Sequence, residues 1–421
     1  MYTEGMSETI PQRRAEVRAL ARLAGDELGG AVDGIAAIHR AVSDRVFAAV
    51  RLGVGPAAEP VKVVHDAITD GVYRIVGGAA VTAGAVGERA ADLPGAPPSR
   101  TVWGSGFLAA LQGLIGDSLE ASTPVLAGPM TIRVDGDPVA PESISEHVPP
   151  RDHLVVFLHG LVETEHAWRW GGRATYAERL TTDLGCACVQ VRYNSGLHIS
   201  ENARELADLI GRLVEHWPVP VRRISLVGHS MGGLIARAAC FDAAEQNRAW
   251  VRLVRHIVCL GSPHLGAPLE QVVHRLSAAL VWLPETRPVG RMLRRRSAGI
   301  RDLRYGSLVD EDWRGMDADA LERRAVQEIP LLAGADHYFV TASFTRSPRH
   351  PLGRFIGDGL VLTPSGAGRS RARRLGFAED NGLHVPGAHH FALLNHEAVY
   401  AALRGWLGGA PAAALGPGRA G

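Results

Sequence analysis

The feature that most constrains the fold is an alternation of short apolar runs with amphipathic stretches, which begins after Pro150 and continues to about residue 407. Leu154–Leu158 is an unbroken apolar run, which is typical of a strand buried on both faces. Four further runs of this kind follow: Cys186–Val191, Ile224–Val227, Ile257–Leu260 and Tyr338–Ala342. Strands that alternate with helices predict an α/β fold with a mostly parallel sheet covered on both sides.

The flanking residues predict a different organisation. Residues 1–130 show apolar residues at helical spacing, including a stripe at Val64, Ile68, Val72 and Ile75, and a further helix is expected over 106–119. Proline-containing breaks are expected over 92–100 and 135–152. The predicted domains are therefore a helical region over 1–130 and an α/β domain over 150–407. The Gly-, Ala- and Pro-rich tail, 408–421, is expected to be disordered.

Charge and cysteine content exclude several function classes. Forty-five basic residues face 44 acidic ones, so the net charge of +1 gives no global reason to bind nucleic acid. Four cysteines are too few for a disulfide framework, and no Cys/His spacing predicts a metal site. The first eighteen residues are charged where a signal peptide needs an apolar core, and the longest apolar run, Ile75–Gly87, is shorter than the roughly twenty residues of a spanning helix. We expect a cytoplasmic protein, with peripheral membrane contact possible in principle and the oligomeric state undetermined.

Residues 228–233, Gly-His-Ser-Met-Gly-Gly, form the central motif. They stand between the predicted strand Ile224–Val227 and a helical stretch, as a nucleophile elbow requires. The chain must reverse within about two residues there, so Gly228 and Gly232 leave room that a Cβ would fill. The turn exposes the hydroxyl of Ser230 as a nucleophile. The alternative is an ordinary tight turn in which Ser230 caps a helix.

Two backbone amides are candidates for an oxyanion hole. The apolar strand Leu154–Leu158 runs into His159 and Gly160, so the N–H of Leu161 can point toward the serine. The N–H of Met231, which follows the nucleophile, would be the second donor. The alternative is that this segment is only a turn at the end of a strand.

An acid and then a histidine are expected downstream of the serine. Asp358 stands between two glycines after the strand Tyr338–Ala342, whereas Asp336 precedes that strand, at the wrong end of the sheet. Asp380 is an alternative acid in a predicted turn. The histidine candidates are His384, His389, His390 and His396. A base belongs at the loop-to-helix junction that follows the strand Leu383–Val385, which favours His390, with His389 as its rival; His396 is expected to cap a helix or face solvent.

Five segments in this order resemble the lipase and esterase branch of the α/β-hydrolases: Leu158–Leu161, Gly228–Gly233, Gly261–Pro268, Asp358–Val361 and His390–Leu394. The chain is particularly similar to bacterial triacylglycerol lipases and to esterases of the GPI inositol-deacylase-like group. In that family a Gly-x-x-His-x-x-Leu-Leu signature carries the base, and Gly387 and His390 fall on its positions. The resemblance covers residues 150–407 and leaves the first 125 unexplained. Secretion and calcium binding, which many of these lipases show, are not carried over.

The resemblance implies an α/β-hydrolase fold and a serine hydrolase of lipophilic carboxylic esters. Ser230, Asp358 and His390 would form the triad, Leu161 and Met231 the oxyanion hole, and no metal or cofactor would be required. Two alternatives stay open: acyl transfer or thioester cleavage by the same serine, and a non-catalytic binding protein on a hydrolase scaffold.

An insertion over 269–335 is expected to form a cap, because a connection between two strands is normally far shorter. It holds an apolar segment, Leu276–Leu283, that could line an acyl channel. A basic run and an acidic cluster follow: Arg287, Arg291, Arg294, Arg295, Arg296, Arg301 and Arg304, then Asp310, Glu311, Asp312, Asp317, Asp319 and Glu322. These charges are expected to pair with one another. Alternatively, the arginines would form a surface for anionic lipid headgroups.

Overall fold

The structure of the protein is a computed structural model that describes residues 4–23, 95–267, 296–317, 326–346, 356–370 and 373–409, with single positions at 43, 62, 69, 71 and 91. The chain divides into two compact units. One comprises Met1–Gly128 with Val273–Ser297, and the other comprises Pro129–Val272 with Ala298–Gly421.

The N-terminal unit is helical where it is described. Its helices are Glu4–Leu23 (α1), Val102–Ser122 (α2) and Pro124–Ala127 (α3), with a 3₁₀ turn at Pro98–Arg100. The helix predicted over 106–119 lies within α2, which Thr101 caps by accepting a hydrogen bond from the Gly104 N–H at 3.0 Å. The four residues of the predicted stripe, Val64, Ile68, Val72 and Ile75, lie outside the described residues.

The second unit is built on one eight-stranded sheet. Its strands are Thr131–Val134 (β1), Asp137–Val139 (β2), His153–Leu158 (β3), Ala187–Arg192 (β4), Arg223–His229 (β5), Val254–Leu260 (β6), Asp336–Ser343 (β7) and Gly382–Pro386 (β8). The strand order is β2-β1-β4-β3-β5-β6-β7-β8. Strand β1 is antiparallel to both of its neighbours, β2 and β4, and the six strands β3 to β8 are parallel to one another. The five strands predicted from apolar runs are confirmed as β3 to β7.

The sheet begins before the predicted boundary at residue 150. The interpretation of 135–152 as a break was wrong at its start, because Asp135 and Gly136 form the two-residue turn of a β1–β2 hairpin. Both have positive φ, at 51° and 89°, as such a turn demands. Pro138 is tolerated in β2 because β2 is an edge strand.

Helices cover both faces of this sheet. They are Tyr176–Leu184 (α4), Ile199–Glu215 (α5), Met231–Glu245 (α6), Ala298–Leu303 (α7), Thr363–Gly366 (α8) and Glu397–Leu407 (α9). The 3₁₀ turns of this unit are Pro141–Glu146, Glu165–Gly172, Ala249–Leu253, Asp310–Asp312, Glu379–Asn381 and His390–Leu394. Alternate residues of β3 enter different cores: Leu154 and Leu158 join the apolar core of α5 and α6, and Phe157 joins that of α4 and α9. The prediction of a strand buried on both faces is therefore confirmed.

Part of the predicted insertion is described. The apolar segment Leu276–Leu283 and the first four arginines of the basic run lie outside the described residues, as do 410–421 of the tail. Asp310 pairs with Arg204 at 3.0 Å and with Arg314 at 2.7 Å, and neither arginine belongs to the basic run. The expected pairing of the two clusters with each other is therefore wrong for Asp310.

Candidate active site

Ser230 occupies a strained turn between β5 and α6. Its backbone angles are φ 51° and ψ −118°, which a residue with a side chain rarely adopts. The N–H of Ser230 donates to the carbonyl oxygen of Leu260 at 2.8 Å, so the adjacent strand β6 holds the turn in place. The backbone is thus bent as the elbow motif predicts.

The glycines around Ser230 are required by close backbone contacts. A Cβ on Gly228 would lie 2.2 Å from the Gly233 nitrogen, and one on Gly232 would lie 2.4 Å from the carbonyl oxygen of Leu158. Both separations are below any real Cβ contact. The two predicted elbow glycines therefore allow helix α6 to start directly against the ends of β3 and β5.

The loop that follows β3 lies against the serine. A Cβ on Gly160 would be 3.0 Å from the Cβ of Ser230. The Leu161 N–H has no hydrogen-bond acceptor among the described residues, and the Met231 N–H opens a helix, where amides lack intrahelical partners. Val162 has φ 57°, an outlier for a β-branched residue, and its N–H donates to the Oγ of Ser195 at 3.1 Å. The structure therefore leaves both predicted oxyanion donors without a protein acceptor in the part of the chain that it describes.

Asp358 and His390 meet in the loops beyond β7 and β8. The Nδ1 atom of His390 lies 2.8 Å from Oδ2 of Asp358, and the His390 N–H donates to the Asp358 carbonyl oxygen at 3.0 Å. Oδ1 of Asp358 accepts the N–H groups of Leu360 and Val361 at 3.0 and 2.8 Å. Both side chains are buried. The carboxylate therefore makes three hydrogen bonds, one of which is to the imidazole.

The charges around His390 favour its protonated form. Burial opposes protonation, but the charge of Asp358, its hydrogen bond and the charge of Glu163 together raise the pKa of His390 above its ordinary value. A Cβ on Gly261 would lie 3.1 Å from Cε1 of His390, so the ring packs on the backbone next to Leu260, which holds Ser230.

The other predicted candidates have different surroundings. His389 has its ring 5.7 Å from that of Trp170, and burial lowers its pKa. His384 contacts the Oγ1 of Thr341 at 2.9 Å, and His396 caps α9, as one of its two predicted roles required. Asp336 begins β7 and the exposed Asp380 precedes β8, so both lie at the amino ends of their strands. Of the four histidines, only His390 contacts an aspartate.

Sequence reasoning missed a second carboxylate at this site. Glu163 is buried, and its Oε2 accepts the Gly160 N–H at 2.6 Å and lies 3.0 Å from Nδ1 of His229. Position 229 is variable in the elbow pattern, and Glu163 follows the strand end by five residues, so neither motif signals the pair. The contact across 66 residues exists only in the folded chain.

Two kinds of site are not found in the described part of the chain. It has no cluster of three or more His, Cys, Asp or Glu residues that could hold a metal ion. Nor does any described helix combine the length and the apolar character that crossing a membrane requires.

Comparison with known proteins adds a family match. Residues 190–317 match the family model described as PGAP1-like alpha/beta domain, a segment that includes Ser230 and Met231 but ends before Asp358. No curated protein matches the chain in sequence.

Among solved structures, the mature lipase BlEst2 of Bacillus licheniformis is 17% identical with a TM-score of 0.40, over 66% of this chain and 99% of that one. An esterase of Pyrobaculum calidifontis is 15% identical with a TM-score of 0.35, over 61% and 76% of the two chains. Phospholipase PlaB of Legionella pneumophila is 17% identical with a TM-score of 0.32, over 51% and 45%.

A mostly parallel eight-stranded sheet, flanked by helices and carrying a strained serine turn after a central strand, is the α/β-hydrolase fold. The predicted fold class is confirmed. The match over 190–317 also confirms the resemblance to the PGAP1-like group of α/β-hydrolases, which the sequence motifs indicated.

Proposed function

We propose that the protein is a serine hydrolase that cleaves carboxylic esters, with Ser230, Asp358 and His390 as its catalytic triad. The observation that carries the proposal is the buried 2.8 Å contact between His390 and Asp358, next to the strained turn at Ser230. A histidine whose Nδ1 is held by a carboxylate presents Nε2 as a base. Burial of both partners keeps this orientation fixed.

The mechanism uses groups of this chain alone. His390 takes the proton of Ser230 as the hydroxyl attacks the ester carbonyl, and the amides of Leu161 and Met231 stabilise the oxygen that becomes negative. The alcohol leaves with the proton from His390. Water activated by the same histidine then releases the acid from Ser230. No step requires a metal or an organic cofactor.

An aromatic surface supports a lipophilic substrate. Trp170 is 43% exposed, and its ring stacks on that of Phe391 with 5.6 Å between the centroids. Phe391 directly follows the proposed base, and the two rings are also 5.6 Å apart. An exposed Trp170 stacked on the partly buried Phe391, beside the proposed reacting groups, favours an apolar acyl chain over a polar one.

The predicted cap and its contact with a lipid surface stay predictions. The segment Leu276–Leu283, on which the acyl-channel hypothesis depends, lies outside the described residues. Neither membrane contact nor oligomeric state follows from the described contacts.

The proposal is tested by a fluorophosphonate label and a series of p-nitrophenyl esters of graded chain length. We expect covalent labelling of Ser230 and faster hydrolysis of medium or long chains than of acetate. An acyl thioester and an added alcohol, assayed in parallel, separate ester hydrolysis from thioester cleavage and acyl transfer. An unlabelled protein without turnover would instead indicate a binding protein on a hydrolase scaffold.

A further inference from the structure

A second histidine–carboxylate pair lies directly behind the proposed base. The ring of His229 is 4.7 Å from that of His390 between centroids, and its Nδ1 contacts the carboxylate of Glu163 at 3.0 Å. His229 is fully buried, Glu163 is nearly so, and the indole of Trp168 meets the His229 ring edge-on at 6.4 Å. Water therefore cannot replace either partner without opening the core.

The hydrogen bonds of this pair reach three parts of the site. Nε2 of His229 lies 3.3 Å from the carbonyl oxygen of His390, and since a carbonyl only accepts, Nε2 donates. Oε2 of Glu163 accepts the N–H of Gly160, the residue before the proposed oxyanion donor Leu161. The pair thus joins the oxyanion loop, the residue before the nucleophile and the backbone of the base.

The loop that carries Glu163 contains a strained backbone conformation at Val162, and the hydrogen bonds around it hold that conformation. Val162 keeps its positive φ between Leu161 and Glu163. A strained residue persists only when its surroundings fix it, and strain of this kind concentrates at functional sites. Three contacts fix both ends of the turn. The Gly160 N–H donates to the Glu163 carboxylate, the Val162 N–H donates to the Ser195 hydroxyl, and the Glu163 carboxylate also contacts His229.

We propose that Glu163 is a positioning residue for ester hydrolysis, which holds His390 through His229 and holds the Leu161 amide through Gly160. The inference rests on the proposed function, because it assigns a role within the same reaction. A positioning residue of this kind touches no substrate, and its loss displaces two reacting groups together.

The buried pair Asp302–His198 provides a matched control. Asp302 is as buried as Glu163, its carboxylate contacts the Nδ1 of His198 at 3.0 Å, and it accepts the N–H of Ile199 at 2.8 Å. Each carboxylate therefore holds one histidine and one backbone amide. No hydrogen bond of Asp302 reaches Ser230, Asp358 or His390.

The charge of Glu163 predicts a change in the pH dependence of hydrolysis that a loss of packing alone would not cause. The charged or titratable groups that face His390 are Asp358, Glu163, His229 and His389. Since the charge of Glu163 raises the pKa of His390, neutralising it lowers that pKa. The acid limb of the pH dependence of kcat/KM, where the base becomes protonated, then moves to lower pH.

The experiment compares Glu163→Gln, His229→Gln, the double variant and Asp302→Asn in the full chain. We expect Glu163→Gln to lower kcat about 100-fold with KM nearly unchanged, because small displacements of reacting groups cost that much, and to shift the acid limb to lower pH. The double variant should lose no more than the worse single variant, since both act through one unit. Asp302→Asn should lower thermal stability and leave the acid limb in place.

The outcomes distinguish a failure of the positioning role of Glu163 from a failure of the proposed ester hydrolysis. Equal effects of Glu163→Gln and Asp302→Asn on kcat and on the acid limb would overturn the positioning role, as would wild-type kcat in a folded Glu163→Gln protein. If Glu163→Gln does not fold, His229→Gln carries the same comparison, and wild-type kcat there overturns the role. If wild-type Ser230 neither labels nor turns over esters, the proposed function itself fails, and the positioning role fails with it.

Discussion

Histidines line both ends of the parallel sheet, and their partners differ. At the carboxyl end, His390 and His229 face the carboxylates of Asp358 and Glu163. At the amino end, the hydrogen-bond partners of the histidines are neutral. There, the hydroxyl of Ser225 lies 2.8 Å from Nε2 of His153 and 2.9 Å from Nδ1 of His256, and Nε2 of His337 donates to the Leu332 carbonyl at 3.2 Å.

The net direction of the pKa shift differs between the histidines at the two ends, although burial lowers the pKa at both. Burial lowers the pKa of both His153 and His337 to about 4, and neighbouring arginines add to this effect, while the charges of Asp152 and Asp336 offset it only in part. At the other end, Asp358 and Glu163 overcome the same burial penalty and raise the pKa of His390. Among His153, His337 and His390, the pKa is therefore raised only at His390, where two buried carboxylates stabilise the protonated ring.

The largest effect is expected from Ser230→Ala at the carboxyl end. This substitution removes the oxygen of the proposed nucleophile and little else, so hydrolysis should fall at least about 10⁴-fold while the protein stays folded. Rates with a p-nitrophenyl ester and the circular dichroism spectrum check both statements. Fluorophosphonate labelling of the variant at another serine would contradict the assignment of Ser230 as the nucleophile.

Two neighbouring histidines sharpen the comparison within the carboxyl end. His390→Ala should be as damaging as Ser230→Ala, because the proposed base and the proposed nucleophile would act as a unit. His389→Ala should retain most of the activity, since that ring contacts Trp170 and no carboxylate. The turnover numbers of the two purified variants test this difference: a loss for His389→Ala equal to that for His390→Ala would contradict His390 as the base.

Asp358→Asn removes the acid and keeps the shape of the site. We expect turnover to fall roughly 10⁴-fold, because an amide can hold the wrong imidazole tautomer. The residual activity should have its acid limb at lower pH than the wild type, since the charge and hydrogen bond that raise the pKa of His390 are lost. A pH profile that keeps its wild-type acid limb would contradict the pairing of Asp358 with His390.

The smallest effect is expected at the amino end, on stability and not on turnover. The folded pKa of His153 is about 4 against an ordinary 6.5, so the unfolded chain binds more protons between these values. Its contribution to the free energy of unfolding is present above pH 6.5 and is lost as the pH falls toward 4, a loss of about 3 kcal/mol.

His153→Gln should therefore unfold with a weaker dependence on pH between 6.5 and 4 than the wild type, while kcat at neutral pH stays within about twofold. Urea titrations at pH 7 and pH 5 measure the difference. A slope against pH that is the same in both proteins would mean that His153 is not held neutral, and the contrast between the two ends would be weaker than stated.

Much of the fold could be predicted because its signals are local. Apolar runs gave the positions of β3 to β7, since a strand buried on both faces needs consecutive apolar residues. The β1–β2 hairpin was missed because its strands are only four and three residues long and one contains Pro138.

The sequence by itself determined the α/β-hydrolase fold and the strained turn at Ser230, because both depend on residues that are close together in the chain. It also placed Asp358 and His390 among the candidates, whose roles stay a prediction. Only the tertiary structure decided which histidine meets which acid: His389 and His390 are neighbours in sequence, yet the ring of His389 lies beside that of Trp170 and the ring of His390 contacts Asp358. The pairing of Glu163 with His229 was decided in the same way, since a contact between distant residues depends on how the strands assemble and has no local pattern to signal it.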